Sequence, residues 1–154
     1  MKALVPFKDL HHLTLTNVTI EETNSGSVPR FERVTDLNLG DVRVDASVLV
    51  AAFPNVGFLS LSNTSMSVAD LQGFSQLRSV ILHRADAPDA ATLLAFPKLE
   101  SVSLAYLRCP ERQCAFELGW ELEKAQPELE VRVMGRELNP KPNPMALRFD
   151  AGVE

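Results

Sequence analysis

The sequence predicts an α/β fold: a right-handed solenoid with a parallel sheet along its concave side and short helices along its convex side. One observation is a recurring pattern of spaced aliphatics, clearest in Phe53 to Leu61, Phe74 to Leu82 and Phe96 to Leu104. It is also traceable in Phe7 to Leu15, Phe31 to Leu39 and a degraded Pro127 to Val133. Another is constancy of spacing: Leu15, Leu39, Leu61, Leu82 and Leu104 follow one another at steps of 24, 22, 21 and 22 residues. A period of this size marks an array of stacked units. Finally, each clear copy ends on Leu-x-Leu or Val-x-Leu, which puts two aliphatics on one strand face and the residue between them on the other. Parallel strands need a crossover, and crossovers of this kind are right-handed, which sets the hand of the array.

The strands are therefore centred on Leu13/Leu15, Leu37/Leu39, Leu59/Leu61, Val80/Leu82 and Val102/Leu104. Between them run the return segments. Asp45 before Ala46-Ser47-Val48-Leu49-Val50-Ala51-Ala52 predicts a capped helix, and Pro88 with Asp89 opens another over Ala90 to Ala95. Ser67 to Gly73 sits in the shortest step and has room for a single turn only. Glu21 to Ser27 is polar and reads as an exposed loop. Pro110 to Gln126 is the longest helical pattern and reads as a terminal cap, with Cys114, Leu118, Leu122 and Ala125 on the covered face. The domain thus spans 1–134 with its capping helix near 110–126, and 135–154 is a Pro-rich tail carrying Pro140, Pro142 and Pro144.

These repeated Leu-x-Leu units resemble the leucine-rich-repeat family. The resemblance implies a protein-binding scaffold whose partners dock on the exposed strand positions of the concave face. One departure is plain. The family's usual Asn, three residues after the Leu-x-Leu pair, is replaced here by Val18, Val42, Thr64, Ala85 and Leu107, so the turns must be satisfied by backbone or water. Nothing upstream of Phe7 forms an obvious cap, so either Met1 to Phe7 caps poorly or an upstream domain precedes the array.

Composition narrows the functional classes. A net charge of −5 with scattered Lys and Arg argues against nucleic acid. No apolar run reaches a membrane span, and the stretch before Pro6 is too short for a signal peptide, so no membrane is implied and a cytoplasmic address is expected. Cys109 and Cys114 are read as free thiols, because two positions five apart on one helix lie roughly 8 Å apart. There is no Gly-rich phosphate loop, nucleophile elbow or HExxH. Ser60, Ser62 and Ser103 gain no adjacent base from spacing, and His83 lies three strands from His12, so no enzyme, cofactor or metal site is expected.

What remains is recognition of another protein. The concave floor carries small hydroxyls, and the side chains large enough to anchor a partner are Phe58, His83, Arg84, Tyr106 and His12, with Asp36 facing His12 across one strand as a charge pair. Five strands and five exposed positions give a flat patch of roughly 400 Å², half of what each partner contributes to a standard interface. A second surface is Phe116 and Trp120, spaced i, i+4 on the outer side of the capping helix. Either the tail residues Met145, Leu147 and Phe149 fold over it or a partner does. The alternative reading is therefore structural: self-association or domain docking through the amino-terminal edge or the Phe116/Trp120 face.

Overall fold

The computed structural model describes residues 9–20, 28–109 and 114–134. The amino-terminal Met1 to Phe7, the polar run Glu21 to Ser27 and the tail with Met145, Leu147 and Phe149 lie outside the described residues.

Six strands, β1 (His12–Thr16), β2 (Asp36–Gly40), β3 (Phe58–Ser62), β4 (Ser79–His83), β5 (Ser101–Ala105) and β6 (Glu130–Met134), form one parallel sheet in sequence order. Register is constant: Leu13, Leu37, Leu59, Val80, Val102 and Val131 align as one column, and Leu15, Leu39, Leu61, Leu82, Leu104 and Val133 as a second. The strand over the degraded sixth copy therefore pairs like the others. From β2 to β5 these two columns are buried, while the residues between them stay partly exposed. Burying a Leu or Val side chain contributes about 1.5–3 kcal/mol, so the alternation fixes which face turns inward.

The connections supply the second layer. The helix α1 (Ala46–Ala52) is capped by Asp45, and α2 (Ala90–Leu94) by Asp89, each carboxylate accepting a backbone N–H of the first turn. Val68–Leu71 is one 3₁₀ turn capped by Ser67, as its short step requires. Before each strand the chain turns on an aromatic: Phe31, Phe53, Phe74 and Phe96 are buried, and each carbonyl accepts the N–H three residues on, from Val34, Val56, Leu77 and Leu99. Pro54 and Pro97 occupy the position of these turns that favours proline. The sixth unit keeps the bond with Gln126 in the aromatic's place, donated by Leu129.

The last helix, α3, is described over Cys114–Ala125, and residues 110–113 lie outside the described residues. Its buried face is Leu118, Gly119 and Leu122; Ala125, expected to be covered, is exposed because the helix ends there as the chain turns toward β6. Gly119 is required by close approach: an added Cβ would lie 2.7 Å from Val133 Cγ2 and 3.5 Å from Val131 Cγ1. The free-thiol expectation is overturned. Cys109 sits outside the helix, just past β5, and is joined to Cys114 in a disulfide with Cα atoms 6.0 Å apart. The 8 Å separation applied to two residues on one helix, and only Cys114 is on it.

Among the described residues no helix is long and apolar enough to cross a membrane.

Candidate functional site

The outer face of the sheet presents three columns. Thr14, Asn38, Ser60, Ile81, Ser103 and Arg132 run down the middle. His12, Asp36, Phe58, Ser79, Ser101 and Glu130 flank them on the incoming side, and Thr16, Gly40, Ser62, His83, Ala105 and Met134 on the outgoing side. The hydroxyl floor expected from the sequence is thus assembled in register.

At the incoming edge His12 Nδ1 lies 3.3 Å from Asp36 Oδ2, and the Asp36 carboxylate also accepts the Thr35 hydroxyl at 2.7 Å. The pair forms as its spacing predicted. Both groups face water, where such a contact contributes little. Phe58, beside Asp36 and Ser79, is half-buried, which leaves less of its ring available than its position in the column suggested.

The outgoing edge is built differently. The residue after each strand, Asn17, Asp41, Asn63, Arg84 and Tyr106, has a left-handed backbone with φ of 54, 52, 51, 49 and 51°. Each donates its N–H to the last carbonyl of the next strand, Gly40, Ser62, His83, Ala105 and Met134, at 2.9–3.2 Å. This ladder of backbone bonds replaces the missing Asn column: the turns are closed by the main chain. Asn and Asp tolerate the left-handed region because their short polar side chains can bond locally, and Asn63 Nδ2 also donates across the ladder to Asp41 Oδ1. Arg84 and Tyr106 have no such compensation from their residue type.

Around these two lie His83, Ser62 and Met134. His83 meets the Tyr106 ring edge-on, with centroids 5.7 Å apart and planes at 87°. Ser62 Oγ is 3.0 Å from His83 Nδ1, so the expectation that Ser62 has no neighbouring base is corrected: one unit's spacing of 21 residues places them side by side. The contact pairs a hydroxyl with an imidazole nitrogen. Tyr106 is 56% and Met134 57% exposed, and the two adjoin through the Tyr106 N–H and the Met134 carbonyl. Met134 escaped the sequence reading because the sixth unit lacks the Leu-x-Leu signature; Val131-x-Val133 was its signal.

Away from this rim, Phe116 and Trp120 are 37% and 61% exposed on α3, with Lys124 Nζ 5.8 Å from the Trp120 ring centroid. A groove of about 660 Å³ lies on the ledge between Arg43–Ser47 and Thr64–Ser67. Short bridges join Thr19 to Arg43 and Asp86 to Arg108 on either side of it, and within it Thr64 Oγ1 accepts the Met66 N–H at 3.2 Å. Of its polar groups Asp45 caps α1 and Ser67 caps the 3₁₀ turn, while beside it Arg108 bonds Asp86 and the Thr64 carbonyl. The Asp45 and Asp89 carboxyls are both held below the ordinary aspartate range by the hydrogen bonds they accept, from Ser47 and Thr92. No group of three or more His, Cys, Asp or Glu among the described residues is arranged to hold a metal ion. A scan of protein-family models and searches of curated proteins and solved structures each return no match for this chain.

Proposed function

We propose that the protein is a protein-binding module of the leucine-rich-repeat type, a right-handed solenoid that takes its partner on the concave face and carries out no catalysis. The observation that supports this reading is the identity of two rim residues. Three of the five left-handed positions hold Asn or Asp, which accept that backbone readily, whereas Arg84 and Tyr106 occupy it at a cost of about 1 kcal/mol each. Residues kept in unfavourable backbone seats cluster at functional sites. Arg and Tyr are also the types that anchor protein interfaces.

The contact surface then runs from Tyr106, Arg84 and His83 at one end, across Phe58, to His12 and Asp36 at the other. Six strands enlarge the flat area only to roughly 480 Å², so the rims must contribute for a durable complex. Capture from a cell lysate tests this. Wild-type protein retains a specific partner that Arg84→Ala and Tyr106→Ala both lose while Gln72→Ala, exposed on the opposite layer, keeps it. Equal retention by all three variants rejects the face.

A second reading is supported by the exposure of Trp120 and Phe116. Self-association through α3 gives a dimer whose light scattering rises with concentration and falls back to monomer in Trp120→Ala; a concentration-independent monomer rejects it.

A further inference from the structure

We infer that the rim around Arg84 and Tyr106 takes a peptide segment that is both acidic and apolar, with a carboxylate side chain on the Arg84 guanidinium and a neighbouring aliphatic or aromatic side chain over Tyr106 and Met134. This rests on the proposed binding face and specifies its partner's chemistry.

The acidic half follows from how the described arginines are paired. Arg33, Arg78, Arg108 and Arg132 each meet a carboxylate, from Asp9, Glu100, Asp86 and Glu130. Arg30, Arg43 and Arg84 are exposed and make no ion pair among the described residues, and of these three only Arg84 stands on the left-handed ladder next to Tyr106. The acid on the same ladder, Asp41, is already bonded by the Asn63 side chain and lies two strands away. Arg84 is thus a cation on a left-handed turn without a carboxylate partner among the described residues. Its planar fork of donors matches a carboxylate through two parallel bonds, which a basic or neutral side chain cannot use.

The apolar half follows from the neighbours. Tyr106 and Met134 are among the few large apolar side chains left more than half exposed. They adjoin each other, and the His83 edge against the Tyr106 ring limits how that ring can turn. A pre-positioned ring loses little freedom on binding, and Met conforms to varied side chains. The net charge of −5 opposes an acidic partner at long range. Recognition therefore depends on short contact at this rim and not on steering.

A random dodecapeptide phage library panned on the full chain tests the inference. Enriched peptides should carry Asp or Glu within a few residues of an aromatic or aliphatic side chain, and the best of them should bind Arg84→Glu about tenfold or more weakly. Panning on Arg84→Glu should enrich Lys- or Arg-bearing peptides, with Arg84→Gln as a charge-neutral control and thermal unfolding confirming that both variants are folded. Neutral or basic peptides on the wild type, or an acidic peptide bound within twofold by Arg84→Glu, overturns the inference. If such peptides are still lost on Tyr106→Ala, the binding face stands and only its partner chemistry falls; if no selected peptide is weakened by either substitution, both fall.

Discussion

Two side chains in left-handed seats set the stability of single positions against their use. Replacing Arg84 or Tyr106 by Asn gives each seat the residue type found in the earlier units. Each change should raise the free energy of unfolding by about 0.5–1 kcal/mol, measured by urea denaturation. Asn63→Ala should act in the opposite sense by about 1 kcal/mol, since it puts a residue disfavoured in the left-handed region at that seat and loses the bond to Asp41. The helix caps give a pH prediction. Hydrogen bonds from Ser47 and Thr92 hold the Asp45 and Asp89 carboxyls below the ordinary value of 3.8. A group whose pKa is lower in the folded state stabilises it above the unfolded pKa, and that contribution is lost as pH falls through the folded value. The advantage of wild type over a D45N/D89N double variant should therefore be full at pH 7 and vanish in acid; an advantage that persists unchanged well below the ordinary aspartate pKa would contradict the assignment.

Among the elements, α3 bears the most varied duties. Leu118 and Leu122 seal the end of the core, and Gly119 lets β6 approach so closely that a methyl group would strike Val133. Helix propensity favours Gly119→Ala by about 1 kcal/mol, but overpacking costs about 1–3 kcal/mol. The substitution should lower stability by about 1 kcal/mol net. The Cys109–Cys114 disulfide fastens the start of the helix to the end of β5 across a sequence separation of 5. Closing so short a loop contributes about 2 kcal/mol, so dithiothreitol should lower the denaturation midpoint while leaving the strands paired. An unchanged midpoint after thiol titration confirms reduction would show that the bridge does not restrain α3.

For the whole molecule, stability comes from stacking: Leu61, fully buried between Leu39 and Leu82, is one rung of a column that runs through all six strands. Leu61→Ala should cost about 3 kcal/mol. This column was readable from spacing alone, because a strand's period of two and a constant step between units leave few arrangements. The capping carboxylates Asp45 and Asp89 were readable for the same local reason. The rim was not. Its left-handed residues fall one position before the column in which the family's Asn was sought, and neighbours such as Ser62 and His83 meet only once the register is known. The disulfide was not readable because the 8 Å separation holds only if both cysteines share one helix, and Cys109 lies outside α3 with its Cα 6.0 Å from that of Cys114. The central claim is that Arg84 and Tyr106 are kept for binding at the expense of stability, and the double variant Arg84→Asn/Tyr106→Asn tests it most directly. Thermal unfolding read alongside partner capture should show a midpoint raised by about 2–8 °C for a combined gain of about 1–2 kcal/mol together with lost capture; a lowered midpoint, or capture equal to wild type, would contradict the account.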